Sequence, residues 1–303
     1  MSTTYRDILK WGDKREQHVD KGTLDIIKEK FGLTDADFSE KHHTGEEQVT
    51  LSKPVGISQN LLDKLIAIVG SENVKTDEYA RASHAYGKFY AELVKLRMGE
   101  IPSPPDAVVF PKSADEVVQI VSLCNEHGIA LTPFGGHSSV TRGVETPKGG
   151  ISLDLTKHLN KIVEVNSVNA TVTVEAGMFG PAFENYLNSI GFTCGHFPQS
   201  FEHSTVGGWF AAKGAGQAST GYGKMEHMVL AVKVVTPAGV IETKCYPASA
   251  QGWDIHQIFA GSEGTLGVIT EVTMKVRRHM PQNTQYASFI FKNFDSAVSA
   301  MRL

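Results

Sequence analysis

Pro133-Phe134-Gly135-Gly136-His137-Ser138-Ser139-Val140 follows a strand-like run, Gly128-Ile129-Ala130-Leu131-Thr132, in this 303-residue chain. Its two glycines let the backbone turn sharply and aim successive N–H groups at one point. Such a concavity of amides binds anions, phosphate above all. Ser138 and Ser139 add hydroxyl donors. The segment therefore reads as a diphosphate cradle, set against the simpler reading of a Gly/Ser turn.

Immediately upstream, Ala107-Val108-Val109-Phe110 reads as a short strand. Ser113 then caps a helix that carries Val117, Val118, Ile120, Val121 and Leu123. Strand, helix and second strand close on the glycine loop, a usual place for a ligand in folds that mix helix and sheet. The motif is not a dinucleotide fingerprint, because it reads GGHSS rather than GxGxxG and follows the second strand of the unit.

Downstream, Gly150 to Leu155, Ile162 to Val165 and Ala170 to Ala176 read as strands, and Phe179 to Ser189 as a helix. Gly191 to Gly223 is glycine-rich without a regular pattern. Met228 to Thr236 and Val240 to Thr243 flank Pro237-Ala238-Gly239 as a hairpin. Trp253 to Phe259 reads as a short helix, and Val268 to Val276 alternates as a strand. Three glycine-rich segments, near 133–140, 198–216 and 261–267, thus sit between strands of one α+β domain. A large flat cofactor with a diphosphate needs such a set, one cradle and two close backbone approaches.

The region before residue 105 is different. Residues 1 to about 55 are polar with mixed charge, and Gly22 to Phe31 carries Leu24, Ile27 and Phe31 at helical spacing. Ser58 to Val69 reads as a capped amphipathic helix, and Ala80 to Met98 as one long helix with Phe89, Leu93 and Leu96 on its apolar side. Gly99 and prolines 102, 104 and 105 stop it. The expected division is an N-terminal polar and helical segment (1–104), a main domain (105–279) and a short C-terminal piece (280–303).

Apolar content of 41% and charged content of 20% describe an ordinary globular protein. A net charge of −4 argues against nucleic acid or an anionic membrane as the main partner. Cys124, Cys194 and Cys245 are odd in number and far apart, so neither a disulfide framework nor a zinc site is expected. His42-His43 lacks a supporting carboxylate spacing and is not read as a metal site. Met1 to Lys10 has no apolar leader core, no run reaches about 18 apolar residues, and Met301-Arg302-Leu303 is not a peroxisomal signal. A cytoplasmic location is the expectation.

A family resemblance then enters. Gly195-His196-Phe197-Pro198-Gln199-Ser200-Phe201-Glu202-His203-Ser204-Thr205-Val206-Gly207-Gly208-Trp209 resembles the corresponding stretch of the alkyl-dihydroxyacetonephosphate synthases. These are flavoproteins of the vanillyl-alcohol oxidase type with a PCMH-type FAD-binding domain. The likeness extends over Ser262 to Thr270, Val234 to Gly239, Asp254 to His256 and Pro105 to Leu123. Upstream, Arg81, Gly87, Glu92 and Arg97 fit the helix before that domain. The resemblance covers roughly residues 60–300.

The resemblance implies FAD, with Pro133, Phe134, Gly135, Gly136, His137, Ser138 and Ser139 around the diphosphate. It implies a flavin lining from Gln199, Ser200, Phe201, Glu202, His203, Ser204 and Thr205, and from Ala212, Lys213, Gly214 and Ala215. Glu263, Gly264, Thr265, Leu266, Gly267, Val268 and Ile269 would approach the cofactor with backbone groups. It also implies exchange of the acyl group of acyl-dihydroxyacetone phosphate for a long-chain alcohol, without net redox change. His196 falls on the histidine required in the family, for proton transfer or substrate positioning. A lipid-like small molecule, peripheral membrane contact and a homodimer are the partners such a relative would have.

Two departures matter. The family usually carries GGGTS where this chain has Gly135-Gly136-His137-Ser138. A GGH loop resembles berberine-bridge-type and aldonolactone- or alditol-oxidase proteins, whose loop histidine is bonded to the flavin 8α-methyl. His137 therefore has two readings, a covalent flavin link or a hydrogen bond to the diphosphate. Cys194 has the wrong spacing for a second covalent anchor. The other departure is that the sequence ends where the family's cap domain begins, after strand-like Ala287 to Phe291 and a helix from Phe294 to Met301. Three functions follow as expectations: the transferase, an FAD-linked oxidase or dehydrogenase of an alcohol or hydroxy acid, and a flavin-binding fragment without independent catalysis.

Overall fold

The computed structural model describes residues 3–9, 19–39, 43, 45–246 and 248–302. Met1, Lys10, His42 and Leu303, used above in reading a leader, a metal pair and a C-terminal signal, lie outside them. Two sheets organise the described chain. The first contains β1 (Val74–Lys75), β2 (Ala107–Val109), β3 (Leu131–Phe134) and β4 (Ile151–Asp154), in the order β1-β2-β4-β3. β4 runs parallel to both β2 and β3, and lies between them. All residues of β2 and β4 are buried, the pattern of parallel strands covered on both faces.

The second sheet is antiparallel. It comprises β5 (Ile162–Asn166), β6 (Thr171–Glu175), β8 (Val229–Thr236), β9 (Gly239–Glu242) and β10 (Val268–Lys275), in the order β5-β6-β10-β8-β9. β7 (Phe192–Thr193) pairs separately with β11 (Arg277–Arg278). β6 buries Val172 and Val174 alternately, as its period-two sequence requires. A parallel sheet beside an antiparallel one is the α+β arrangement read from the sequence.

The Ala114–His127 helix joins the layers. Ser113 Oγ accepts from Glu116 N at 3.2 Å, and Gly128 ends the helix at φ 62°. Val117, Ile120, Val121 and Cys124, at i, i+3, i+4 and i+7, are buried. This face packs on β8 and on the Gln59–Val69 helix, which Ser58 caps through Leu61 N at 3.3 Å. A smaller core of Tyr5, Ile8, Val49, Ala82, Ala85, Tyr86, Leu96 and Ile101 holds the N-terminal elements.

Two sequence expectations are corrected. Ala80 to Met98 is not one helix but two, Glu78–Ser83 and Tyr90–Arg97. The interruption docks onto the glycine loop. His84 Nε2 lies 3.1 Å from Asp154 Oδ2, and Lys88 N donates to Ser139 O at 2.6 Å. A Cβ on Gly87 would sit 2.2 Å from Ser139 O, so this contact needs glycine. Tertiary contacts override the local helical preference. Ala287 to Phe291 is not a strand. Strands need ladder partners, and Phe289 and Ile290 instead stand exposed among the described residues. The Lys21–Phe31 helix does form, but buries none of its side chains.

Arg81 ties the N-terminal part to the start of the main domain. Only 3% exposed, it donates from Nε to Pro105 O at 2.8 Å and from Nη2 to Lys53 O at 2.9 Å. Arg81→Ala would leave these carbonyls unpaired. It is expected to lower the unfolding free energy by about 3 kcal/mol in urea titration. A change below about 0.5 kcal/mol would show the bonds to be dispensable. No described helix is long and apolar enough to cross a membrane.

Candidate functional site

One cavity of about 410 Å³ opens where the glycine-rich segments meet. Its walls come from 133–144, from Leu155 and Ala176 at strand ends, from the 196–214 region and from 263–269. Residues far apart in sequence converge because β3, β4 and β6 all end here.

The cradle has the properties expected of an anion site. None of the backbone amides of Gly135, Gly136, His137, Ser138 and Ser139 donates to a protein acceptor among the described residues. A run of free N–H groups on the wall of a cavity demands an external acceptor. The loop packs tightly behind. A Cβ on Gly136 would lie 2.1 Å from His203 O and 2.7 Å from Ser204 Cα, so no larger residue fits. At the rim, Thr141 Oγ1 donates to Glu263 Oε2 at 2.8 Å, closing one loop on the other.

His196 lines the same cavity. The residue is fully buried, and neither ring nitrogen has a protein partner among the described residues. Its ring meets Trp209 edge-on at 4.8 Å. Burial lowers its pKa to about 4, so the imidazole is neutral near pH 7. A neutral, unpartnered imidazole lining a cavity can take a proton from a ligand or orient one.

His137 belongs to the cradle wall. The residue is half-buried, at φ 60°, but its Nε2 is sealed from solvent and unpaired among the described residues. Its ring packs 5.5 Å from Phe134. Burial first, then the charges of Lys88 and His84, lower its pKa to about 3.

Both histidines make stability pH-dependent. Unfolded, each titrates near pH 6.5, so between that value and the folded values the unfolded chain binds more protons. Their contribution is full above pH 6.5 and is lost as pH falls through about 4 and then about 3. Denaturant titrations from pH 7 to 4 should show stability falling, by up to about 1.4 kcal/mol per pH unit for each histidine. His196→Leu should remove its share of that slope; an unchanged slope would contradict the neutral assignment.

The structure brings many of the sequence-derived residues together. Pro133 to Ser139, His196, Ser200, Ser204, Thr205, Ala212, Gly214, Glu263, Gly264, Gly267 and Ile269 all line the cavity. Gln199, Phe201, Glu202, His203, Lys213, Ala215, Thr265, Leu266 and Val268 do not. The Val268 side chain points into the core, and the Phe201 ring stacks on Trp209 at 6.0 Å. Sequence reasoning did not name as site residues Leu155, Ala176, Gly207, Gly208, Trp209, Ala211 and the rim residues Thr141, Gly143 and Val144. Leu155 and Ala176 were findable as residues just past strands entering glycine loops. Gly207-Gly208-Trp209 directly follows the expected flavin segment.

Comparison with known proteins agrees with this geometry. The FAD binding domain family matches residues 105–244. An alkyldihydroxyacetonephosphate synthase of Trypanosoma brucei brucei is 37% identical over 264 residues, covering 85% of this chain and 42% of that protein. The uncharacterized FAD-linked oxidoreductase YgcU of Escherichia coli (strain K12) is 32% identical over 246 residues, covering 80% of this chain and 50% of that protein. A solved alkyldihydroxyacetonephosphate synthase superposes with a TM-score of 0.72 at 33% identity, over 76% of this chain and 42% of the other. The chain thus spans half or less of the length of these relatives. The free amides of the cradle and the glycine packing behind it fit the diphosphate of FAD. FAD is therefore the cofactor: residues 105–244 carry an FAD binding domain, and 85% of the chain is similar to an alkyldihydroxyacetonephosphate synthase.

Proposed function

We propose that the chain serves a flavin-dependent transferase that exchanges the acyl group of acyl-dihydroxyacetone phosphate for a long-chain alcohol, yielding an ether-lipid precursor. The observation that carries this reading is one cavity lined both by an amide cradle and by a neutral histidine that has no ring partner among the described residues. The relatedness to alkyldihydroxyacetonephosphate synthases supports it. When bound, FAD supplies the isoalloxazine ring on which the exchange depends. The amides of 135–139 would hold its diphosphate, and the apolar wall of Leu155, Ala176, Trp209 and Ile269 would keep water from the ring. His196 would hold or move a proton at a ring nitrogen.

The test supplies the FAD-loaded chain with acyl-dihydroxyacetone phosphate and a fatty alcohol. Ether product without oxygen uptake is expected. A second reading, an FAD-linked oxidase or dehydrogenase, is favoured by the oxidoreductase relative and by the GGH loop. Hydrogen peroxide, or dye reduction on adding an alcohol or hydroxy acid, would select it. FAD binding with neither activity would mean that the chain only binds flavin.

For His137, the sealed Nε2 and the packing on Phe134 support a structural role in the cradle rather than a covalent link. Acid precipitation of the loaded chain is expected to release the yellow colour into the supernatant. Colour retained in the pellet would establish the covalent bond.

A further inference from the structure

The amides leading to His196 are held by side chains. Cys194 N donates to Glu184 Oε2 at 2.9 Å, and Gly195 N donates to Thr193 Oγ1 at 3.2 Å. His196 N lies 3.4 Å from Cys194 Sγ. The Thr193 hydroxyl completes the set by donating to Glu184 Oε1 at 2.5 Å. One carboxylate, 6% exposed on the Gly180–Ser189 helix, therefore gathers two donors of the turn, the Cys194 amide and the Thr193 hydroxyl, and, through Thr193, the Gly195 amide.

Among the described residues, no hydrogen bond from its own ring fixes His196. Its position in the cavity follows from the backbone of this turn and from packing on Trp209. Both carboxylate oxygens accept, and bonds to a charged acceptor are stronger than neutral ones. A glutamine at this position could accept with only one atom. Burying a carboxylate to organise one tight turn is also costly unless the placement matters.

We propose that Glu184 is the positioning residue that fixes His196 in the cavity, acting through Thr193 and the amide of Cys194. The inference rests on the reading of His196 as the group that handles the proton. It adds a role for a side chain that lies outside the cavity wall.

The experiment uses the FAD-loaded chain with Glu184→Gln, Thr193→Val and the double variant. The imidazole nitrogens of His196 are followed by NMR, assigned by their loss in His196→Gln. Each single variant is expected to shift or split the His196 signals while FAD affinity stays within about twofold, the scale of a minor perturbation. Ether-forming turnover should drop about 100-fold with little change in KM. The double variant should be no worse than the worse single one, because both act through one network. Unchanged His196 signals in both singles, additive losses, or failure of both variants to fold would overturn the proposal. If His196→Gln itself keeps full turnover, the functional reading fails, and the imidazole signals still judge the positioning role.

Discussion

Replacing His196 by leucine is expected to abolish turnover while leaving FAD bound. Acid–base help from a positioned histidine is worth about 100-fold or more in rate, so residual activity should fall near background. The same substitution separates function from structure. His196 buries two ring nitrogens without protein partners among the described residues, a cost of about 1–3 kcal/mol in a folded chain. A histidine kept for packing alone would be a poor choice there. An apolar residue of similar size removes that cost, so the apo chain should melt at the same temperature or higher. Lost turnover with retained FAD and undiminished stability is the signature of a group held for chemistry. A variant that keeps turnover, or that loses FAD and fold together, would refute the assignment.

The second large effect is expected at Gly136. Its missing Cβ accommodates His203 O at 2.1 Å and Ser204 Cα at 2.7 Å, both backbone atoms that cannot swing aside. Gly136→Val must displace either the cradle or the 203–205 segment, whose Ser204 and Thr205 line the cavity. Overpacking of this kind costs about 1–3 kcal/mol, and here the displaced atoms carry the cofactor amides. FAD affinity measured by fluorescence titration should weaken by about 100-fold or more, since each factor of ten is about 1.4 kcal/mol. Gly128→Ala on the far side of β3 meets nothing within 4 Å and serves as a control. Its positive φ costs stability but should leave FAD affinity nearly unchanged. Equal losses at both positions would mean that general destabilisation, not the cradle, explains the effect.

What the sequence made legible was what local physics encodes. Ser113 and Gly128 bracket the central helix, and the spacing of Val117, Ile120, Val121 and Cys124 names its buried face. The glycine loop after β3 read as a cradle, and its amides are indeed free of protein partners among the described residues. What stayed hidden depends on contacts between distant segments. The break between Ser83 and Tyr90 exists because His84, Gly87 and Lys88 meet Asp154 and Ser139. No period in residues 80–98 records those partners. The insertion of β4 between β2 and β3 is likewise a matter of topology rather than pattern. His137 is the sharpest case. Its position in a GGH motif allows a flavin bond or a diphosphate contact, and its ring lines the cavity with Nε2 unpaired among the described residues, so the motif alone does not choose between them.

The central claim is that one cavity holds FAD with its diphosphate on the amides of 135–139 and its reactive end near His196 and Trp209. A crystal structure of the chain grown with FAD tests it directly. Diphosphate density within hydrogen-bond reach of those five amides, with the isoalloxazine ring beside His196 and no continuous density to His137, is the expected result. FAD bound elsewhere, or a cradle whose amides remain unengaged while the flavin is present, would contradict it.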